Sequence, residues 1–216
     1  MTTAHLANLI VHVGAGSIAL GIGFAILAKT KGTPEHRRLG RLFAGFTLVV
    51  SLSAIVGTLF FRFVPIFAVL SLLVPYQLVS GWRSIYTRSR GPQWVDGGLT
   101  LLALAIAAWL VPIVLAHPSQ SPIVERASLG ALAALLAYDG ARWLFPRRWH
   151  RSLWRYEHSY KLIASIFGML SALVGNVIRA GQPWSQVAPS AVGMLVIVYF
   201  FARIHRDSRS TRVAAA

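Results

Sequence analysis

Leu6-Ala-Asn-Leu-Ile-Val-His-Val-Gly-Ala-Gly-Ser-Ile-Ala-Leu-Gly-Ile-Gly-Phe-Ala-Ile-Leu-Ala28 contains no lysine, arginine, aspartate or glutamate. At 1.5 Å per residue, about 20 apolar residues in a helix cross the roughly 30 Å hydrocarbon layer of a bilayer. This stretch therefore predicts a transmembrane helix. Residues 100–116 and 188–202 are free of charge in the same way. Only 12% of the chain is charged and 56% is hydrophobic. Soluble domains carry about 25% charged residues, so this chain is too apolar to cover a water-facing surface.

Working outward from the first run, spans are predicted near 6–28, 42–61, 65–83, 95–116, 123–145, 158–179 and 187–205. Phe60-Phe-Arg-Phe-Val-Pro65 predicts a tight turn between the second and third. The fold class is thus an all-α membrane bundle of about seven helices. Residues 1–205 form a single transmembrane domain, with 206–216 as a short basic cytoplasmic tail. The apolar run from Leu6 is longer than the core of a cleaved leader and lacks a basic approach, so the first span is expected to be its own insertion signal.

Basic residues set the expected orientation. Alternate loops hold Lys29, Lys31, Arg37, Arg38 and Arg41, then Arg83, Arg88 and Arg90. The same side takes Arg142, Arg147, Arg148, Arg151, Arg155 and Lys161, and the tail adds Arg203, Arg206, Arg209 and Arg212. Together they make 18 of the 21 lysines and arginines, against Arg62, Arg126 and Arg179 on the other side. Loops rich in Lys and Arg stay in the cytoplasm, which predicts N-terminus out and C-terminus in. Trp82, Trp94, Trp143, Trp149, Trp154 and Trp184 fall near span ends, as an interfacial aromatic belt requires.

The net charge of +15 would suit nucleic acid, but no soluble basic domain remains to carry it, and nucleic acid is not an expected partner. The expected partners are the bilayer, anionic lipid headgroups on His36-Arg-Arg-Leu-Gly-Arg41, and a membrane redox partner or a second copy of the chain. The absence of cysteine excludes disulfides, thiolate metal sites and thiol nucleophiles. No metal site is expected. Neither Gly-x-Ser-x-Gly nor His-Glu-x-x-His occurs, and Gly14-Ala-Gly-Ser-Ile-Ala19 matches a dinucleotide fingerprint only formally, because no strand precedes it.

Small residues predict close packing of the first and sixth spans. Ala15, Ala19 and Gly23 repeat every four residues in one, and Ser165, Gly168, Ala172 and Gly175 line the other. Contacts are expected through Gly16, Gly23, Gly168 or Ala172. Polar residues inside spans are costly in lipid and carry more information. An outer group comprises Asn8, His12, Asn176 and Arg179, with His5 and His117 at its boundary. An inner group comprises Tyr76, Gln77, Asp139, Arg142, His158 and Lys161, edged by His36 and Asp96. A buried imidazole can ligate haem, relay protons or simply bond a neighbouring helix. His158 also reads as a solvated helix start, and Asp139 as an i,i+3 partner of Arg142. Asp139 is expected to meet Arg142, His158 or Lys161. His150 and His205 read as solvated.

His12-Val-Gly-Ala-Gly-Ser-Ile-Ala-Leu-Gly21 and Lys31-Gly-Thr-Pro-Glu-His-Arg-Arg-Leu-Gly-Arg-Leu-Phe43 resemble motifs of an uncharacterised bacterial membrane-protein family, domain of unknown function 2306. The Tyr76 and Gly81 region, Asp96, Asp139 and residues 158–179 are similar more weakly. Lys161 departs from the methionine-like residue expected there. The resemblance implies a multi-pass protein of the bacterial cytoplasmic membrane and adds weight to His12, His36, Asp139 and His158. It implies no activity.

Three functions stay open. A b-type cytochrome-like redox protein would hold haem b between paired histidines, His36 with His158 or His12 with His117. A proton-linked transporter or channel would use His12, Asp139, His158 and Lys161 as relay groups. An assembly or accessory subunit would need its polar residues only to join helices. Whether the chain is an enzyme does not follow from the residues.

Overall fold

A computed structural model describes residues 2–117, 119 and 121–213, with side chains through Ser208. It holds seven long helices: α1 (Thr3–Ala28), α2 (Pro34–Val56), α3 (Pro65–Thr87), α4 (Trp94–Ala116), α5 (Pro122–Ala141), α6 (Arg147–Val177) and α7 (Trp184–Val213). A π-helical turn, Gly57–Phe61, prolongs α2, and a single 3-10 turn, Arg142–Leu144, closes α5. Six of the seven are long and apolar enough to cross a membrane; α5 is the exception. It carries Glu125, Arg126 and Asp139 within its 20 residues.

Local chemistry sets the helix ends. The Thr2 hydroxyl accepts from His5 N at the start of α1, and Thr33 caps α2 ahead of Pro34. Hydroxyl caps satisfy the free N–H groups of a first turn, and proline fits there because its missing donor is not needed. The expected turn at Arg62–Pro65 is present, with Arg62 extended and Pro65 opening α3. Gln93 and Asp96 form a reciprocal capping box on α4. Two starts lie well before the expected 42 and 158. The signals at Thr33-Pro34 and Pro146 begin α2 and α6 inside basic segments, because arginine is a good helix former. At the other end of the chain, α7 continues past 205 to Val213.

α6 is the central helix, packing along α3 and α7 and touching α1. Its small residues serve both neighbours: a Cβ on Gly168 would lie 3.8 Å from Val74 of α3, and Gly175 faces Gln186 of α7. α1 packs chiefly on α2 instead: Gly16 faces Val50, and Gly23 reaches both Ile166 of α6 and Phe43 of α2. The first helix is therefore peripheral. Of the expected contacts, Gly23 carries the α1–α6 approach, whereas Gly16 and Gly168 face α2 and α3.

Two apolar cores result. One gathers Ala19, Phe43, Ile166, Phe167 and Phe200; the other gathers Val69, Leu73, Ala103, Leu132 and Leu135. Tyr160 packs against both, so the next residue, Lys161, sits at their seam. Large apolar side chains also cover the outside, among them Phe60, Leu101, Leu115 and Leu195. An exposed apolar area of that extent fits a lipid-facing surface, and with the six apolar helices it makes this a membrane protein.

Candidate functional site

Lys161 is fully buried, and its Nζ lies 2.5 Å from Asp139 Oδ1. Asp139 is buried as well; its Oδ2 accepts from the Tyr76 hydroxyl at 2.8 Å, and Arg142 Nη1 stands 3.6 Å from Oδ1. Arg142 also meets Glu157 at 2.8 Å, and Glu157 Oε1 accepts from the Tyr138 hydroxyl at 2.8 Å. Two cations thus face two carboxylates, and the cluster is neutral. A buried charge without a partner is strongly penalised, so this balance is what lets four ionised groups share the interior.

The hydrogen bonds continue toward the basic end of the bundle. Tyr76 Oη lies 2.9 Å from Thr100 Oγ1, which donates to the Asp96 carbonyl at 2.9 Å. The Asp96 carboxylate is gripped by Arg83 at 2.6 and 3.2 Å and accepts from Gln93 N at 2.8 Å. A cavity of about 10 Å³, lined by Tyr76, Ser80, Asp96, Thr100, Asp139 and Arg142, lies beside this path. That is room for about one water molecule. Ser80 Oγ and Arg142 Nε are buried without a protein partner among the described residues.

Several helices cooperate to hold the cluster. α5 packs on α3 and α4, and α5 with its closing 3-10 turn meets α6 through Asp139, the Tyr138 hydroxyl and Arg142. The residue that makes room is Gly81 of α3. A Cβ there would fall 2.7 Å from Lys161 Cβ and 3.1 Å from Leu162 Cδ2, so only glycine allows α3 this close to α6.

Asp139 takes Lys161 and Arg142, and not His158. His158 lies eleven residues into α6, which starts at Arg147, so it is no solvated helix start. Its Nδ1 bonds the Gly81 carbonyl at 3.0 Å. Since a carbonyl only accepts, Nδ1 carries the proton and Nε2 keeps its lone pair. His36 on α2 is within electrostatic reach of His158 and Lys31, and its buried Nδ1 has no partner among the described residues. His12 Nδ1 pairs with Ser53 Oγ at 2.9 Å, and Asn8 Nδ2 donates to the Ser53 carbonyl at 3.1 Å. His117 is an exposed C-cap of α4 with Nδ1 3.1 Å from Ile113 O, and α4 packs on α3 and α5 while α1 packs on α2. No described contact joins His36 to His158 or His12 to His117.

Gln77 is buried on α3 beside the network with Oε1 unpartnered, while Asn176 is exposed and bonds back to Ala172 O at 2.7 Å. His150 is buried rather than solvated, packed against Gly91 and Phe145. Glu157, Tyr138 and Thr100 were not singled out as site residues. Glu157 falls outside the span expected near 158–179, whereas α6 starts at Arg147 and buries it. No family model, no curated protein and no solved structure matches the chain. Among the described residues no group of three or more histidine, aspartate or glutamate side chains gathers as a metal site.

Removing the His12 ring should be felt locally. His12→Phe leaves Asn8 to hold Ser53 and is expected to cost about 1 kcal/mol, the scale of one buried hydrogen bond, read as a small drop in Tm in detergent. A loss several times larger would mean that the imidazole has partners beyond Ser53.

Proposed function

We propose that this chain is a proton-linked transporter or channel of the bacterial cytoplasmic membrane, with Asp139 and Lys161 as the groups that exchange the proton. The observation that carries this reading is the fully buried Lys161–Asp139 pair, with Tyr76 on its carboxylate, beside a one-water cavity that Tyr76, Thr100, Asp139 and Asp96 all line. Moving one proton from the Lys161 ammonium to the Asp139 carboxylate leaves an amine and a carboxylic acid. Net charge does not change, so the step avoids the desolvation penalty of a lone charge. Ionisable groups kept inside a membrane bundle at such expense mark ion and proton pathways.

Buried polar side chains also recur deeper in the bundle. Ser165 follows Lys161 by one turn on α6, and Thr47, Ser51 and Ser53 climb α2 toward His12. They supply stepping points toward the opposite end. We infer that α5 is the seventh span, because its 20 residues reach about 30 Å and its carboxylates are satisfied internally. The basic bias then places the N-terminus outside and the network near the cytoplasm.

The test is proton flux into liposomes holding the purified chain under an imposed potential. Tyr76→Phe removes the hydroxyl between Asp139 and Thr100 without touching the ion pair. It should cut flux about tenfold or more, the low end of what a positioned proton-transfer group contributes. Flux equal to the unsubstituted chain would remove Tyr76 from the path.

A second reading rests on His158. A histidine whose Nδ1 is tied to a carbonyl presents Nε2 as a ligand, as in many metal and haem sites, and His36 on α2 is the partner imidazole. If haem b is bound, His158 and His36, imidazoles from different helices, would be the residues to hold it. Haem would supply electron transfer there. An absorbance scan of the purified chain showing a Soret band, lost in His158→Ala, would favour this reading over the first.

A further inference from the structure

A second cavity lies outside the buried network, at the basic end, and concerns a ligand rather than a proton. It measures about 550 Å³ and is lined by Ser89, Arg90, Arg147, Arg148 and Arg151. Ligand pockets run from about 300 to 1,000 Å³, so the volume fits a small molecule or a lipid headgroup. Two rigid elements frame it. Arg147, Arg148 and Arg151 belong to the first two turns of α6. Arg90 comes from the α3–α4 loop, which Gly91, with φ +80°, presses against the buried His150 ring. A Cβ at Gly91 would lie 2.8 Å from His150 Cδ2, which pins the loop to α6 and fixes Arg90 opposite the other three.

These guanidiniums have no carboxylate within ion-pair distance among the described residues. All six acids are committed elsewhere: Glu35 to Lys29, Asp96 to Arg83, Asp139 and Glu157 to the buried cluster, Glu125 to the Ser119 backbone, and Asp207 on α7 to a contact of its own. Arg147 and Arg151 are i,i+4 neighbours, where like charges repel. Three cations also crowd the positive end of the α6 dipole, where anions are favoured. The lining arginines are exposed around an open cleft, and an anion held there would offset their mutual repulsion. Guanidinium forks bind phosphate oxygens in a bidentate manner.

We propose that this cavity binds a phosphate-bearing anion through Arg90, Arg147, Arg148 and Arg151. The shared chemistry is a phosphate group with several free oxygens. Its source is either a lipid headgroup or a soluble phosphorylated molecule. Exposed Trp94, Trp143, Leu144 and Trp149 sit on the segments flanking the cavity, at the level where aromatic residues mark a membrane interface, so both sources can reach it.

The experiment uses the full chain in phosphatidylcholine nanodiscs and in detergent, with two probes: phosphatidic acid and inorganic pyrophosphate. Retention by native mass spectrometry and the Tm increment are read for each. The variants are Arg147→Gln/Arg148→Gln/Arg151→Gln, Arg90→Gln alone, and Arg37→Gln/Arg38→Gln/Arg41→Gln as a charge-matched control. Phosphatidic acid held by the unsubstituted chain and at least about tenfold weaker in the α6 triple variant supports the site with lipid as the source. Pyrophosphate raising Tm saturably, with the same loss, supports the site with a soluble source. Arg90→Gln should weaken binding on its own, which keeps the test decisive if the triple variant fails to fold. The proposal is overturned if neither probe binds, if Arg90→Gln and the triple variant bind as the unsubstituted chain does, or if the control loses as much as they do.

Discussion

Asp139→Asn is expected to destabilise the protein by about 3–5 kcal/mol, the usual cost of leaving one member of a buried ion pair alone. Lys161→Met should cost less, about 1–3 kcal/mol, the scale of one unsatisfied buried group. The asymmetry follows from the partners. Asp139 keeps Tyr76 at 2.8 Å and Arg142 at 3.6 Å when Lys161 is removed. Lys161 has only Asp139 as an ionic or hydrogen-bond partner among the described contacts, with the Tyr138 ring 5.9 Å away. Without Asp139 a fully buried ammonium has nothing to neutralise it. The double variant Asp139→Asn/Lys161→Met should recover most of the loss, because swapping a whole buried pair for neutral groups is often close to neutral. Thermal unfolding of the four proteins in one detergent measures this. Equal losses for both single variants, adding up in the double, would mean that the two side chains are energetically independent.

Gly81→Ala should cost about 1–3 kcal/mol, the range for overpacking, although alanine is the better helix former by about 1 kcal/mol. Its Cβ would fall 2.7 Å from Lys161 Cβ. Neither atom can rotate away, so α3 and α6 must separate, and that movement pulls His158 from the Gly81 carbonyl. Gly168→Ala is the matched comparison on the same interface. Its Cβ would sit 3.8 Å from Val74, an ordinary contact, so propensity should dominate and stability should hold or rise. Similar Tm changes for the two variants would refute the close approach at Gly81.

Much of the fold is legible in the sequence. Seven helices follow from the apolar runs and the turn at Arg62–Pro65, because membrane spans are written in continuous stretches of side chains that each carry the same signal. Of the inner group, Tyr76, Asp139, Arg142 and Lys161 come together, and Asp139 meets Lys161 and Arg142, two of its three expected partners. What failed was rotation and neighbourhood. A helix of small residues such as α1 can pack on any adjacent helix, and spacing every four residues does not name the partner. Gly16 accordingly faces α2, and the hub is α6. The segment 147–155 is basic enough to read as a loop, yet it is helical from Arg147. That loop reading hid His150 and Glu157 inside a helix and made His158 look like a solvated end. Glycine at 81 carries no local sign that a lysine backbone passes beside it; that contact exists only in three dimensions.

Whether the buried pair moves protons is open to one direct measurement. Proton flux is followed in liposomes holding the unsubstituted chain or the Asp139→Asn/Lys161→Met variant, under potentials of both signs. The predicted result is flux from the unsubstituted chain and none above empty liposomes from the double variant, with matching Tm values showing that both are folded. Contradiction would come from an unsubstituted chain that passes no protons at either polarity, or from a folded double variant that passes them equally well.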